Sequence, residues 1–536
     1  MNKLEQKIKV RIKNRNDNTK KGGYMIEENK SSMKNSVRRL IIAGIGVLIQ
    51  IIWVVVLVMR LNQYSQIITL LTVAIELVLV LAVYSMDTNA AFKLPWIILI
   101  TVAPIVGICV FFLFGRSGAT KKVRARYRKI DQQLFAYLNQ DEQIIEELSK
   151  KDERLANDFK YLWKCASSPV YKNTDVKYYG DTCDAMAAQL EDMMQAKKFI
   201  FLEYHAIEMA ESFQALRKVL MAKAREGVEI RILYDDAGCI GFLNPRFIKY
   251  MESMGIQCRV FNPIMPVLNI FMNNRDHRKI TVIDGKVAYT GGYNLADEYF
   301  NITHPYGQWK DSGIRFEGDA VQTATILFLE MWNALREQDV DIEKYLPVYP
   351  YKAKEQGFFA LYGDSPLDKE PAGENVYMNL LRHAKKYIYF TTPYLILSDE
   401  MTRELTGAAK RGVDVRIITP GIPDKKTIFQ VTKSYYPQLL KHGVKIYEYT
   451  PGFMHEKQCI CDGEIVVVGT INLDFRSLYL HFENAALFCG YEAVSHVKED
   501  FDALFPICKD MSKEPSERTR RLRLSQLILR LFSPLM

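Results

Sequence analysis

One spacing, written twice, constrains this chain more than any other feature. His277-Arg278-Lys279-Ile280-Thr281-Val282-Ile283-Asp284 is followed by Gly291-Gly292-Tyr293-Asn294. His455-Glu456-Lys457-Gln458-Cys459-Ile460-Cys461-Asp462 is followed by Gly469-Thr470-Ile471-Asn472. Both read H-x-K-x4-D-x6-G-x2-N. Five residue types at one spacing, recurring within one chain, exclude coincidence. The flanks repeat as well: Ala196-Lys-Lys-Phe-Ile200 returns as Ala384-Lys-Lys-Tyr-Ile388, and Gly227-Val-Glu-Ile-Arg-Ile232 as Gly412-Val-Asp-Val-Arg-Ile417. Two copies of this length predict two similar domains rather than a solenoid.

Each copy alternates short apolar, β-rich runs with amphipathic stretches. The runs are Phe199–Tyr204, Val228–Tyr234 and Gln257–Phe261 in the first copy, and Tyr387–Thr391, Val413–Ile418 and Lys445–Tyr449 in the second. Helical stretches, Ser212–Arg225 and Glu400–Arg411, follow the first run of each. Such alternation predicts an α/β fold whose sheets are covered by helices. Four prolines between Tyr345 and Gly373 mark the boundary between the copies.

The motif makes physical sense on a strand. Residues i and i+2 share a face, so His and Lys project together while Ile280 and Val282 pack elsewhere. Asp284-Gly285 and Asp462-Gly463 are hairpin signals, and the aspartates are expected to order the turn. The returning strands, 286–290 and 464–468, bring Gly291 and Asn294, or Gly469 and Asn472, beside the histidine and lysine. Glycine there is expected to let a ligand approach the backbone. Lysine and asparagine offer donors to phosphate oxygens, and imidazole offers a nucleophile or a proton carrier.

The N-terminal part differs from the rest. Residues 1–39 hold 12 Lys/Arg and 4 Asp/Glu, whereas the whole chain of 536 residues is only +9. A basic tail on a near-neutral body argues against a nucleic-acid groove and suits an anionic surface. Three apolar stretches follow, at about 40–59, 67–83 and 95–114, and are expected to be membrane helices. Lys/Arg flanks, densest between Arg116 and Lys129, place the body after them on the cytoplasmic side. Nine cysteines exclude a disulfide-dense scaffold, and Cys459-Ile460-Cys461 reads as strand packing. The other histidines, among them His205 and His481, show no ligand spacing, so neither a metal nor a cofactor is expected. The basic, leucine-rich segment 511–536 reads as an amphipathic surface helix.

On its two H-x-K-x4-D motifs the chain resembles the phospholipase D superfamily. Within it, Phe112-Phe-Leu-Phe-Gly-Arg116, Gly307-Gln-Trp-Lys-Asp311 and Asn472-Leu-Asp-Phe-Arg-Ser477 with Glu483 are similar to the bacterial cardiolipin synthases. That family usually has two spans, so the first stretch and the long tail are departures. The resemblance implies two phospholipase D-like α/β domains packed face to face. The map is then a basic tail (1–39), a membrane segment (40–114), a basic helical connector (115–170), a first domain (171–345), a linker (346–373), a second domain (374–510) and a C-terminal segment (511–536).

The same resemblance implies a site shared by the two copies. One histidine attacks a phosphodiester to give a phosphohistidine, and the other protonates the leaving alcohol and deprotonates the acceptor. By family analogy His277 is the nucleophile and His455 the acid and base. Lys279, Lys457, Asn294 and Asn472 hold the phosphate. Asp311 is expected to orient His277, and Glu483 to orient His455. Apolar residues at Pro263–Phe271 and Phe453-Met454 are expected to rim the site. The implied reaction joins two phosphatidylglycerol molecules at a bacterial cell membrane, releasing glycerol. Hydrolysis or transfer to another alcohol would use the same residues. A nuclease, or a scaffold without activity, is a further alternative.

Overall fold

The computed structural model describes residues 66–112, 121–264, 273–514 and 522–535, apart from 244–245, 337–338, 340 and 347–348, with scattered positions between 45 and 59. In chain order the first half supplies β1 (Thr174–Tyr179), β2 (Phe199–Tyr204), β3 (Glu229–Asp235), β4 (Gln257–Phe261), β5 (Arg275–Asp276), β6 (Lys279–Ile283), β7 (Val287–Gly291), β8 (Gln308–Lys310) and β9 (Gly313–Gly318). The second half supplies β10 (Phe358–Asp364), β11 (Tyr387–Thr391), β12 (Asp414–Pro420), β13 (Lys445–Tyr449), β14 (Gly452–Met454), β15 (Gln458–Cys461), β16 (Ile465–Gly469), β17 (His481–Cys489) and β18 (Cys508–Asp510).

The duplication is structural as well as sequential. One sheet runs β1-β9-β7-β6-β2-β3-β4, the other β10-β17-β16-β15-β11-β12-β13, with β18 added at its edge. In both, three parallel strands joined through helices carry an antiparallel hairpin that contains the motif.

The runs read from the sequence fall on these strands to within two residues. The segment expected as a linker, 346–373, holds β10, an edge strand paired along its whole length with β17. The second half therefore starts before residue 374. The prolines of this segment flank the strand rather than interrupt it.

The two inner faces share one apolar core. Ile280, Val282, Ala288 and Phe316 of the first sheet pack with Phe359, Val466, Val468 and Phe488 of the second. The helix Val321–Leu335 lies within this core and is buried on nearly every side, as a helix apolar all round must be. Separate outer cores seat helices on each sheet's far face. Burial of this extent makes the two halves one unit.

Of the three apolar stretches, 40–59 lies largely outside the described residues. The second forms the helix Gln66–Tyr84, whose side chains are described from Leu70 onward. The third is not one helix. Pro104 divides it into Ala90–Val102 and Pro104–Val110, because proline lacks the N–H that would continue the ladder and its ring crowds the preceding turn. Among the described residues no helix is long and apolar enough to cross a membrane. These helices lean on the second half: the Asn89 side chain donates to Tyr479 at 3.1 Å, and Phe92 packs edge-on against Phe475. The C-terminal helix Leu524–Leu531 lies beside them, with Arg530 over the Tyr435 ring.

Candidate active site

Each motif strand is positioned by the other half of the molecule. β5 ends one residue before His277 and runs parallel to the start of β17, pairing Arg275 with His481 and Asp276 with Phe482. The His277 amide then donates to the Phe482 carbonyl at 2.9 Å. The second copy does the same in mirror. β14 ends one residue before His455 and pairs with β8, Phe453 opposite Trp309 and Met454 opposite Lys310. The His455 amide donates to the Lys310 carbonyl at 2.8 Å.

This crossing decides which carboxylate meets which imidazole. Nδ1 of His277 lies 2.8 Å from Glu483 Oε2, and Nδ1 of His455 lies 2.5 Å from Asp311 Oδ2. The assignment expected from the sequence is thereby reversed. Asp311 serves His455 and Glu483 serves His277, because the strands cross before each motif. A carboxylate on Nδ1 fixes the tautomer that leaves Nε2 free to act. Glu483 is itself held by the Thr470 hydroxyl at 2.5 Å, and Asp311 by the Ser312 amide at 3.0 Å.

Lys279 Nζ donates to the His277 carbonyl at 2.6 Å. Lys457 Nζ lies 2.8 Å from His455 Nδ1 and donates to the His455 carbonyl. All four side chains are buried. Burial pushes their protons off, and at the histidines and Lys457 a neighbouring cation adds to it. His277 is held well below the ordinary imidazole range, with Lys279, His205, Lys457 and His455 contributing. His455 is lowered to about 4 by burial and Lys457, against the pull of Asp311. Lys279 is lowered to about 8, chiefly by burial. Lys457 is lowered to about 7, by burial and by Lys279. Groups from both copies thus act on one another in one pocket.

The remaining expected site residues divide. Asp284 and Asp462 sit at the far end of the hairpins with left-handed backbones. Each carboxylate gathers three amides: Lys197, Lys198 and Phe199 for Asp284, and Lys385, Lys386 and Tyr387 for Asp462. They order the turn and stand away from the histidines.

The Asn294 amide is consumed within the fold, accepting from the Ala206 amide at 3.2 Å and donating to Tyr299 at 2.9 Å. Asn472 Oδ1 is buried without a partner among the described residues. Gly291 and Gly469 do not make room for a ligand. A Cβ at Gly291 would meet the Ser312 carbonyl at 2.5 Å, and one at Gly469 would meet Ala485 Cα at 2.5 Å. The neighbouring strands β9 and β17, not a substrate, require these glycines.

Four residues of this site were not expected. His205 follows β2 and lies 5.0 Å from the His277 ring, donating from Nδ1 to the Asp276 carbonyl at 2.7 Å. His481 opens β17 and lies 5.5 Å from His277 on another side. Around His455 the neighbours are aromatic instead, with Trp309 at 5.0 Å and Tyr299 at 5.2 Å. By register Trp309 is the counterpart of His481. A lone histidine carries no spacing signal, so only the fold reveals this imidazole side and this aromatic side. Phe453, expected at the rim, is buried against Trp309 and His455. Most of the stretch Pro263–Phe271 lies outside the described residues.

The variable position of H-x-K points into the shared core, with opposite charge in the two copies. Arg278 is buried and donates to Glu330 at 2.8 Å, to the Leu327 carbonyl and to the Glu483 carbonyl. Glu456 is buried against Lys310, 2.8 Å away, which also meets Asp500. Asp276, beside Arg278, is pushed up to about 7, burial outweighing that arginine. Arg278→Met leaves Glu330 and its acidic neighbours without a cation and is expected to destabilise the protein by about 3–5 kcal/mol. Glu330→Met in the same chain should restore most of that loss. Urea unfolding of the three variants measures both.

Paired, carboxylate-braced imidazoles with paired lysines, delivered by two halves of identical strand order, define a phospholipase D-type site. A family model described as "Cardiolipin synthase, PLD-like domain" matches residues 190–332 and 377–505. A cardiolipin synthase of Halalkalibacterium halodurans is 32% identical over 442 residues, covering 82% of this chain and 87% of that protein. Cardiolipin synthase 2 of Bacillus anthracis is 31% identical over 452 residues, 83% and 86% of the two chains. An uncharacterized protein of Streptococcus mutans is 39% identical over 460 residues, 86% and 99% of the two. Among solved structures, a phosphatidylserine synthase of Haemophilus influenzae shares the fold, with TM-score 0.50 and 13% identity over 67% of this chain and 93% of that one. The chain belongs to the cardiolipin synthase family of the phospholipase D superfamily, and it is an enzyme.

Proposed function

We propose that this enzyme condenses two phosphatidylglycerol molecules into cardiolipin and glycerol at the bacterial cell membrane. The observation that carries the proposal is the crossed bracing: each buried imidazole is held by a carboxylate of the other half, with a buried lysine beside it. His277 Nε2 attacks the phosphorus of the first lipid. The bond from phosphorus to the glycerol headgroup oxygen breaks, and His455, which takes up a proton when the anionic diester binds, supplies that oxygen's proton. His455 then removes a proton from the primary hydroxyl of a second phosphatidylglycerol. That oxygen attacks phosphorus, the P–N bond breaks, and His277 is regenerated. The energy of the diester is conserved in the phosphohistidine.

His277 suits the nucleophile because burial and the nearby Lys279 and Lys457 hold its proton off. His455 suits the proton carrier because Asp311 stabilises its charged form. Lys279 and Lys457 stand ready to turn from the histidine carbonyls to the phosphate oxygens, a preorganised stabilisation worth about 3–4 kcal/mol per donor.

Support for a membrane setting comes from the N-terminal helix, which leaves Leu70, Leu71, Val73, Leu77, Val78 and Leu81 uncovered. The C-terminal helix adds Leu524, Leu527 and Ile528. We read both as facing lipid, with the body on the cytoplasmic side, and the anionic lipids as partners of the basic tail. Purified enzyme supplied with phosphatidylglycerol vesicles should yield cardiolipin and glycerol in equal amounts by mass spectrometry. Phosphatidic acid as the main product would instead indicate hydrolysis.

The lowered Lys457 makes substrate binding pH-sensitive. With its proton lost near pH 7, the free enzyme meets the anionic diester short of one charge at higher pH. Binding of a phosphonate analogue of phosphatidylglycerol at pH 8.5 should therefore take up about one proton more in the wild type than in Lys457→Arg, which stays charged, the difference falling toward none below pH 6. Calorimetry in buffers of different ionisation heat reads this number.

A further inference from the structure

The imidazole side of the pocket holds a second set of donors that phosphatidyl transfer does not use. His481 has a side chain nine-tenths buried, yet neither ring nitrogen has a hydrogen-bond partner among the described residues. Glu483 spends Oε2 on His277 and Thr470, while its fully buried Oε1 has none. The nearest group to that oxygen is His481 Nδ1, 3.5 Å away. Buried polar atoms left idle cost stability unless something occupies them. One ligand atom from each of His277, His481 and Glu483 lies within 4.8 Å of the others.

Two imidazole nitrogens and one carboxylate oxygen form the three-ligand set of an open zinc site, whose bonds of roughly 2.0–2.2 Å require only modest closing of such a cluster. Lys279 and Lys457 oppose a cation, which moderates affinity without removing the ligands. The other half offers no equivalent, because Trp309 stands where His481 would be.

We propose that His277, His481 and Glu483 bind a zinc-class divalent cation, and that its occupancy withdraws His277 and Glu483 from catalysis and switches the enzyme off. The metal is an inhibitor of the transferase, not its cofactor. The binding site itself does not depend on which lipid the enzyme turns over.

Full-length enzyme in detergent micelles, freed of metal by chelation, should bind zinc with an X-ray absorption signature of two imidazoles and oxygen. Zinc should raise its melting temperature and stop turnover, and chelation should restore it. Loss of a second-shell partner typically weakens metal sites 10–100-fold, so loss of a ligand in His481→Phe or His481→Asn should weaken zinc binding by about 100-fold or more. Both variants should resist zinc inhibition relative to their own zinc-free rate. Two variants of different polarity guard against a folding defect, and melting curves without zinc check each. Equal zinc affinity in wild type and both variants, or a spectrum dominated by sulfur, would overturn the proposal. Lipid products measured without zinc test the transferase reading separately.

Discussion

Alanine at His277 or at His455 is expected to reduce cardiolipin formation by about 10⁵–10⁶-fold, and alanine at both to be no worse than the more damaging single change. The reason is geometric. The two imidazoles are braced across the interface, and Lys279 and Lys457 bear on both, so they serve successive steps at one phosphorus. Either loss stops the cycle. If each half carried its own site, a single change would leave about half the activity and only the double change would abolish it. Melting curves show whether the variants fold, and mass spectrometry of product lipid over several orders of magnitude reads the result.

The carboxylates give the second large effect. Glu483→Gln and Asp311→Asn each replace an acceptor on Nδ1 by an amide that can present N–H, and so favour the wrong tautomer. Losses of about 10²–10⁴-fold are expected, on the scale of a carboxylate-to-amide change behind a catalytic histidine in other enzymes. The crossed pairing makes the two variants distinguishable. Asp311 braces the proton donor His455, so a phosphatidyl ester with a nitrophenol leaving group, which needs no proton, should rescue most of the first step in Asp311→Asn. Glu483 braces the nucleophile His277, so Glu483→Gln should stay slow on that ester. Pre-steady-state release of nitrophenol measures this step alone. The opposite pattern would exchange the roles of the two histidines.

Much of this arrangement was legible in the residue order. The central strands were, because β2, β3, β11 and β12 are runs of Phe, Ile, Val and Leu buried on both faces. The motif was, because a strand's two-residue period aims His277 with Lys279 and His455 with Lys457. β17 was not, since its start, His481-Phe482-Glu483-Asn484, mixes polar and apolar residues. Its polar members line the site or the interface: the Asn484 amide, for one, donates to Thr290 across the interface at 2.7 Å.

The pairing of His277 with Glu483 was also hidden. Each histidine has a carboxylate downstream in its own copy, and nothing local reveals that β5 and β14 cross to the opposite half. The glycines misled for a related reason: Gly291 and Gly469 answer to neighbouring strands that sequence spacing does not show. Arg278 and Glu456 occupy the unspecified position of the motif, and their roles depend on Glu330 and Lys310, which lie far along the chain.

The central claim is one phosphatidyl group per chain, held by a site that two halves complete together. Enzyme rapidly quenched during turnover of phosphatidylglycerol labelled in its phosphate, followed by peptide mapping, tests it most directly. At most one label per chain, confined to the peptide bearing His277 and absent when His277 is replaced by alanine, is the result the crossed site predicts. Two labels per chain, one on each motif, would contradict it.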